Sequence, residues 1–489
     1  MEAGGSLALI RFSSEMSTKA RGTRRRFVRR LLVNIRDAMR STGVVFDVDS
    51  QWTRIFVRSS GGPNSFEVLQ RVPGLSSYSL VVARCAADLD EIVRTGVEHF
   101  APLVKGRSFA VRARRTGTHP FSSNDLMYAL GAALNPGARV DLSAPEVEVD
   151  LEVRDDEVYF FSGKREGLGG LPLAVEGRAV CLLSGGFDSG VAAWMMLKRG
   201  VSLDYVFCNL AGEAYERSVL QVAKILADRW SYGSRPRLHA VDFGPVLDDI
   251  RARTKPAYWQ LVLKTLMYRA AEGVAAQVGG QVTVTGESIG QVSSQTLANL
   301  AAIDGSSTLP IFRPLIAFDK LDIISATRRI GTFDISSKVR EYCAIAPGNP
   351  ATGATLAELE AERAKLDPAV LLGALASRKI INLRSLTTTD LVVDYLFTQA
   401  IPRDAVVIDL RDEAEREKWR YPGSIHRPLW ELTASPRSVD RDRTYVVYCD
   451  HGMQAAHVAE AMQREGIEAY AFRGGTAALR KSVDEGSPL

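Results

Sequence analysis

Cysteine is scarce in this chain, with five in 489 residues, no Cys-x-x-Cys pair and no dense His/Cys cluster. That scarcity argues against a disulfide scaffold and against a structural zinc site, and makes the cytoplasm the natural compartment. No apolar run reaches the roughly 18 residues needed to span a bilayer, so no membrane segment is expected. The order of charge, apolar core and small-residue cleavage site that marks a secretory leader is missing. So is the Gly-Lys-Ser/Thr ending of a Walker phosphate loop. Neither an internal repeat nor a low-complexity tract interrupts the chain. Overall charge is nearly balanced at +4, but its distribution is uneven. Residues 1–40 contain ten Lys/Arg against three acids, a net of +7, which leaves −3 for the remainder. A basic end on a mildly acidic body suits a polyanionic partner. Hydrophobic content of 46% and charged content of 24% are those of a globular protein, and the length allows about three or four domains.

The most informative stretch is Val180-Cys181-Leu182-Leu183-Ser184-Gly185-Gly186-Phe187-Asp188-Ser189. An apolar strand enters Ser-Gly-Gly-x-Asp-Ser, and a helical run follows from Gly190 to Lys198. Two glycines permit a tight turn and a close approach to a ligand. The turn brings backbone N–H groups and a helix N-terminus to one point, which makes an anion site. Ser184 and Ser189 add hydroxyl donors. Asp188 is an unusual neighbour for phosphate unless it holds a Mg²⁺ or orients a reacting group. Together these residues point to ATP used at its α-phosphate, that is, to adenylation.

The surrounding pattern is strand–helix alternation. Strands are expected at Val180–Leu183, Leu203–Asn209, Leu238–Phe243 and Gln281–Thr285, and helices near 190–199, 215–230, 257–277, 294–303 and 319–330. This predicts an open parallel sheet with its ligand site at the carboxyl ends of the strands. The polar loop from Thr285-Gly286-Glu287 to Gln295-Thr296 would form the base and ribose side of that site. Lys264 is a lone cation on an apolar helix, either snorkelling to solvent or touching phosphate or adenine. Arg313 and Lys320 flank Pro314-Leu315-Ile316 and could offset charge on an adenylate.

Before this unit the pattern is α+β. Leu7–Phe12 reads as a strand and Thr23–Met39 as a helix. Phe27, Val28, Leu31, Leu32, Ile35, Ala38 and Met39 share one arc of that helix, and Arg25, Arg29, Arg36 and Arg40 share the opposite one. The arginine arc is a solvated face or, being of one sign, a phosphate-binding one; a membrane-surface helix is a third option, weakened because the apolar arc has a sheet to pack on. Further strands are expected at Val44–Asp49, Trp52–Val57 and Phe66–Val72. Helices are expected at Asp88–Val97 and Asn124–Leu134, the latter capped by Ser122 or Ser123. The strand Ser108–Ala113 leads into Arg114-Arg115, and a hairpin spans Val147–Arg154 and Glu157–Ser162. Residues 348–395 read as a linking helical segment. A last α/β unit covers about 402–482.

In that last unit Cys449 ends the strand Thr444–Tyr448 and precedes a loop and a helix. A thiol there is either a buried strand-end cysteine or, at a helix N-terminus, one stabilised as thiolate or persulfide. Val407-Ile408-Asp409-Leu410-Arg411 and Tyr421-Pro422-Gly423-Ser424-Ile425-His426 resemble the two signatures of a rhodanese domain, and Cys449 stands where the rhodanese cysteine does. The loop Asp450-His451-Gly452-Met453-Gln454 lacks the arginines many rhodaneses carry, which suits sulfur received from a protein persulfide better than free thiosulfate. Cys343, in Arg340-Glu341-Tyr342-Cys343-Ala344, is by position either a resolving thiol or structural. Cys85, Cys181 and Cys208 read as core.

Taken in order, these motifs resemble the tRNA uracil 4-sulfurtransferases in their long form. Phe109–Asn124 and Glu166-Gly167-Leu168-Gly169-Gly170-Leu171-Pro172 resemble a THUMP domain and its exit, and Ser184–Ser189 resembles the PP-loop. The resemblance implies a ferredoxin-like unit at 1–75, a THUMP RNA-binding domain at 76–170, a PP-loop ATP-binding domain at 171–347, a helical linker at 348–400 and a rhodanese domain at 401–489. It implies ATP contacts at Leu182, Leu183, Ser184, Gly185, Gly186, Ser189, Lys264, Gly286 and Gln295. It makes Asp188 the essential PP-loop aspartate, Cys449 the persulfide carrier and Cys343 its transient disulfide partner. Mg²⁺ would accompany ATP. Expected partners are tRNA, gripped through Arg25, Arg29, Arg36, Arg40, Arg114 and Arg115, and a cysteine desulfurase. A thiazole-pathway sulfur carrier protein and a homodimer stay open. Outside this scheme, a tRNA-binding protein with a degenerate ATP site and a PP-loop amidating ligase are the alternatives. The intact Ser184–Ser189 loop speaks against the first and the missing glutaminase unit against the second.

Overall fold

The computed structural model describes residues 5–51, 54–337, 339, 350–387, 389–391, 394–450 and 452–484. The chain divides into two compact units. The first comprises Met1–Glu176 with Lys198–Gly200 and Tyr232–Ser234, and the second holds the remainder.

The first unit is built on one continuous eight-stranded sheet, in the order Phe46–Gln51, Arg54–Ser59, Ser6–Phe12, Leu75–Ala86, Glu157–Glu166, Val147–Arg154, Ser108–Thr116, Arg139–Val140. The long strand Leu75–Ala86 pairs with Ser6–Phe12 on one side and Glu157–Glu166 on the other. Helix Arg21–Arg40 lays Phe27, Leu31, Ile35 and Met39 against Ala8, Ile10, Ile55 and Val57. These helical positions recur every three or four residues, so one stripe is buried, each side chain contributing roughly 1.5–3 kcal/mol. At the other end of the sheet, helices Leu89–Val104 and Ser123–Leu134 bury Ile92, Phe100, Leu126 and Leu130 on Phe109, Val149, Val158 and Phe160. Ser122 accepts from the Asp125 N–H while the Asp125 carboxylate accepts from the Ser122 N–H, a reciprocal cap that starts the second helix.

One expected strand is a helix. Residues Pro63–Arg71 form a 3₁₀ helix where Phe66–Val72 reads as a strand. Phe66, Leu69 and Val72 are all fully buried. Their spacing of three is the repeat of a 3₁₀ helix, and Pro63 at its first turn sets the backbone angle in advance.

The second unit contains two sheets. The larger runs Ile311–Phe312, Thr283–Val284, Arg178–Leu182, Ser202–Asn209, Arg237–Asp242, Lys379–Asn382. The first five are parallel, as the strand–helix alternation predicts, and helices Phe187–Lys198, Gly212–Trp230 and Trp259–Val278 connect them. The sixth strand corrects the expectation for 348–395. Helices Leu356–Arg363 and Pro368–Ala376 pack Leu359 and Ala374 into the core of this sheet, and Lys379–Asn382 closes its edge antiparallel to Arg237–Asp242. A stretch read as a linker is thus, up to Asn382, part of the sheet domain. The smaller sheet is parallel throughout, in the order Phe397–Thr398, Ala469–Phe472, Tyr445–Tyr448, Val406–Asp409, Ile425–His426.

Candidate functional site

Strand Arg178–Leu182 ends where helix Phe187–Lys198 is about to begin, and the turn between them is tied to itself. The Ser184 N–H donates to Ser189 Oγ at 3.0 Å, and the two hydroxyl oxygens stand 3.1 Å apart. The Ser336 hydroxyl donates to the Gly186 carbonyl at 3.4 Å. Gly185 lies under Val339, which a Cβ there would approach to 2.8 Å. The turn meets the second loop at Gly286, where a Cβ would lie 2.6 Å from the Ser189 nitrogen, so only glycine permits this contact.

These loops open on a cavity of about 580 Å³ at the carboxyl ends of the parallel strands. Leu182, Leu183, Ser184, Asp188, Ser189, Lys264, Gly286 and Gln295 all line it. Its volume falls in the range of roughly 300–1,000 Å³ common for small-molecule sites. The walls are mostly apolar, with Cys208, Leu210, Tyr215 and Leu263 among them. Gln295 Oε1 is buried without a partner among the described residues, an acceptor left for a ligand or water to satisfy.

The Asp188 carboxylate is buried and receives Lys320 Nζ at 3.0 and 3.3 Å. Lys264 donates to Glu287 Oε1 at 2.7 Å. Glu287 is the centre of a buried network. It also receives Arg313 Nε at 2.8 Å, Thr285 Oγ1 at 3.1 Å and the Tyr268 hydroxyl. Burial pushes the Glu287 carboxyl up, but the Lys264 ammonium and the Arg313 guanidinium outweigh it and hold it at about 2. Arg313 is raised against the opposing effect of its own burial, by Asp304 at 2.6 Å and by Glu287. Arg313 is therefore committed to two carboxylates, Glu287 and Asp304, while Lys320 reaches Asp188 beside the serine–glycine turn. The network around Glu287 was missed as such in sequence. Its signal was an acid placed directly after Gly286, with cations remote in sequence.

Cys449 follows strand Tyr445–Tyr448 and is 2% exposed. Its carbonyl accepts from the Thr476 N–H at 3.0 Å, and helix Met453–Arg464 starts after Gly452. Asp409 holds the neighbouring strand end, receiving Arg411 Nη2 at 2.7 Å and the Tyr448 hydroxyl at 2.6 Å. Cys343 lies outside the described residues, as do Arg340, Glu341, Tyr342 and His451. Cys181 and Cys208 are buried, as expected, whereas Cys85 is only partly buried, packed against the core of the first unit; burial pushes the Cys181 thiol up to about 12.

In the first unit Arg25, Arg29 and Arg40 are exposed and Arg36 is half-buried. Arg30, between them, turns inward and donates to the Leu173 carbonyl at 2.8 Å. Arg114 and Arg115 are exposed at the end of strand Ser108–Thr116, with Arg115 donating to the Gly117 carbonyl at 3.0 Å. Among the described residues no helix is long and apolar enough to cross a membrane.

Comparison with known proteins assigns each segment. Residues 174–367 match the family described as thiamine biosynthesis protein (ThiI), and 7–79 match the ThiI ferredoxin-like domain. Residues 86–162 match the THUMP domain and 396–482 the rhodanese-like domain. The tRNA sulfurtransferase of Desulfurococcus amylolyticus is 36% identical over 483 residues, covering 98% of this chain and 99% of that protein. The enzyme of the same name from Marinobacter nauticus is also 36% identical, covering 95% of this chain and 99% of that one. A crystal structure of a 4-thiouridine synthetase–RNA complex with bound ATP aligns with a TM-score of 0.68 at 31% identity, over 77% of this chain and 98% of that one. Matched along nearly its whole length at this identity, the chain belongs to the tRNA sulfurtransferase family.

Proposed function

We propose that this protein converts a uridine of tRNA, at position 8 by family resemblance, to 4-thiouridine in two half-reactions. ATP occupies the cavity beside Ser184–Ser189, and the 4-carbonyl oxygen of the uracil attacks its α-phosphate, releasing pyrophosphate. Adenylation turns a poor leaving group into AMP. The Ser184–Ser189 turn binds phosphate through its N–H groups and the helix N-terminus. Gly286 admits the second loop, and Gln295 and Lys264 contact the nucleotide. Asp188 is the carboxylate that would hold a Mg²⁺ accompanying the nucleotide, and that ion would supply charge neutralisation.

The second half-reaction belongs to Cys449. A cysteine desulfurase loads it with sulfane sulfur. The terminal sulfur of this persulfide attacks the activated carbon and AMP leaves. The Cys343 thiolate then attacks Cys449 Sγ, which frees the thiocarbonyl of the product and leaves a Cys343–Cys449 disulfide. A dithiol reductant resets it. Release of free sulfide by Cys343 before attack is the other order of the same steps. RNA is held by Arg25, Arg29, Arg36, Arg40, Arg114 and Arg115.

The observation that supports this most is the cavity of about 580 Å³ in which the serine–glycine turn, Asp188 and the unpartnered Gln295 oxygen converge. A solved relative containing both RNA and ATP adds to it. The decisive experiment is thiolation of a tRNA transcript, with ATP and a desulfurase, by Asp188→Ala and Cys449→Ser. Both should lose activity, and full activity in either refutes the scheme. The match of 174–367 to a thiamine biosynthesis family favours a second use, sulfur relay from Cys449 to a thiazole-pathway carrier. It would be seen as restored thiamine prototrophy with the Cys449 enzyme and none with Cys449→Ser.

A further inference from the structure

Glu460 is a buried carboxylate with no part in the scheme above. It lies on helix Met453–Arg464, which begins four residues after Cys449. Its two oxygens reach out of the rhodanese-like unit. Oε1 accepts from the Glu213 N–H at 2.7 Å and Oε2 from the Ala214 N–H at 3.0 Å. Those N–H groups open helix Gly212–Trp230 of the nucleotide unit. They belong to the first turn, where no carbonyl of the helix can satisfy them and where the helix dipole favours a negative charge.

The seat is shaped for this carboxylate. Gly212 takes a φ of +78°, and a Cβ there would lie 2.8 Å from Glu460 Oε2. Ala214 is fully buried within the core of the rhodanese-like unit, beside Ala455, Ala456 and Ala459. Arg464, one turn on, pairs with Glu460, and the Tyr395 hydroxyl donates to Glu213 Oε2 at 3.1 Å. Tyr215 in the same first turn, and Leu210 just before it, line the nucleotide cavity. One short piece of chain therefore contacts both the ATP cavity and the helix following Cys449.

We infer that Glu460 is a positioning residue for sulfur delivery: it seats the Cys449-bearing unit on the wall of the nucleotide cavity. The inference rests on the two-half-reaction reading proposed above. A charged carboxylate shared between two otherwise unsatisfied N–H groups is a strong, directional contact. Removing it strips one buried anchor and leaves two main-chain donors without a protein partner. The chemistry at Cys449 and the chemistry at ATP stay complete, but their relative placement is lost.

The test uses the full chain with Glu460→Ala, and with Glu460→Gln, which keeps an acceptor oxygen and loses the charge. Three quantities are read on each protein. They are loading of Cys449 with labelled sulfane sulfur from a cysteine desulfurase, single-turnover transfer of that sulfur to tRNA with ATP, and thiolation of tRNA with ATP and sodium sulfide, in which free sulfide replaces the persulfide as nucleophile. For Glu460→Ala, loading and the sulfide reaction should match the wild type, while transfer from Cys449 should fall roughly 10- to 100-fold. Glu460→Gln should lie between. Undiminished transfer in Glu460→Ala overturns the inference. A parallel fall in the sulfide reaction or in loading also overturns it, because Glu460 would then serve the fold of one unit alone. A wild-type protein that thiolates tRNA in neither reaction refutes the function reading, which separates that failure from a failure of Glu460's role.

Discussion

Glu287 allows the most searching test of the site. It is 6% exposed and carries its charge among Lys264, Arg313, Tyr268 and Thr285. Its carboxyl is held at about 2, against 4.5 for an unperturbed glutamate. That difference corresponds to about 3 kcal/mol of folding stability at neutral pH. Because the folded-state value is depressed, the contribution is complete above about 4.5 and is lost as pH falls toward about 2; at pH 3 on the order of 1–2 kcal/mol remains. Glu287→Gln keeps the shape and leaves two cations facing a neutral amide. Removing one partner of a buried ion pair costs roughly 3–5 kcal/mol, and the Asp304 contact that Arg313 retains puts this case at the lower end. The measurement is the urea dependence of amide exchange in strands Arg178–Leu182 and Ser202–Asn209, which isolates this sheet from the other domains. The variant should be about 3 kcal/mol less stable at pH 7, with the gap roughly halved at pH 3. Adding Lys264→Met should recover part of the loss, since one uncompensated charge is gone. A gap under about 1 kcal/mol at pH 7, or one that does not narrow in acid, would refute the reasoning.

Two further outcomes follow from the geometry. Gly286→Ala places a methyl 2.6 Å from the Ser189 nitrogen, an overpacking cost of roughly 1–3 kcal/mol that should weaken ATP binding about 10- to 100-fold by calorimetry; unchanged affinity would mean the two loops do not need this approach. Exchanging the exposed Arg25, Arg29 and Arg40 for Gln should lower the slope of log tRNA affinity against log salt by about 2–3. An unchanged slope would place the phosphate contacts elsewhere.

The parallel strands and the cavity at their carboxyl ends were legible because each rests on a short contiguous pattern. Val180–Ser189 contains its strand, its glycines and its hydroxyls within ten residues, and the contacts between Ser184 and Ser189 that tie the turn lie within them. Phe66–Val72 misled because four apolar side chains in a seven-residue window suit a strand and a 3₁₀ helix alike, and Pro63 decided between them from outside that window. Lys379–Asn382 was hidden for a different reason. Four residues after an alanine-rich helical stretch show no periodicity, and their strand exists because Arg237–Asp242 offers an unpaired edge.

What the sequence determined by itself is the order of the units, the serine–glycine turn at Ser184–Ser189, the arginine arc and the placement of Cys449 at a strand end. All are local, since backbone freedom, helical periodicity and strand-to-helix turns act over a few residues. What only the tertiary structure decided is which charges meet: Lys264 and Arg313 on Glu287, Lys320 on Asp188, and Glu460 on the first turn of Gly212–Trp230. Glu460 stands about 250 positions from its partners in sequence. Coulombic and hydrogen-bonding partners are chosen by distance in space, and a linear pattern holds no record of that distance.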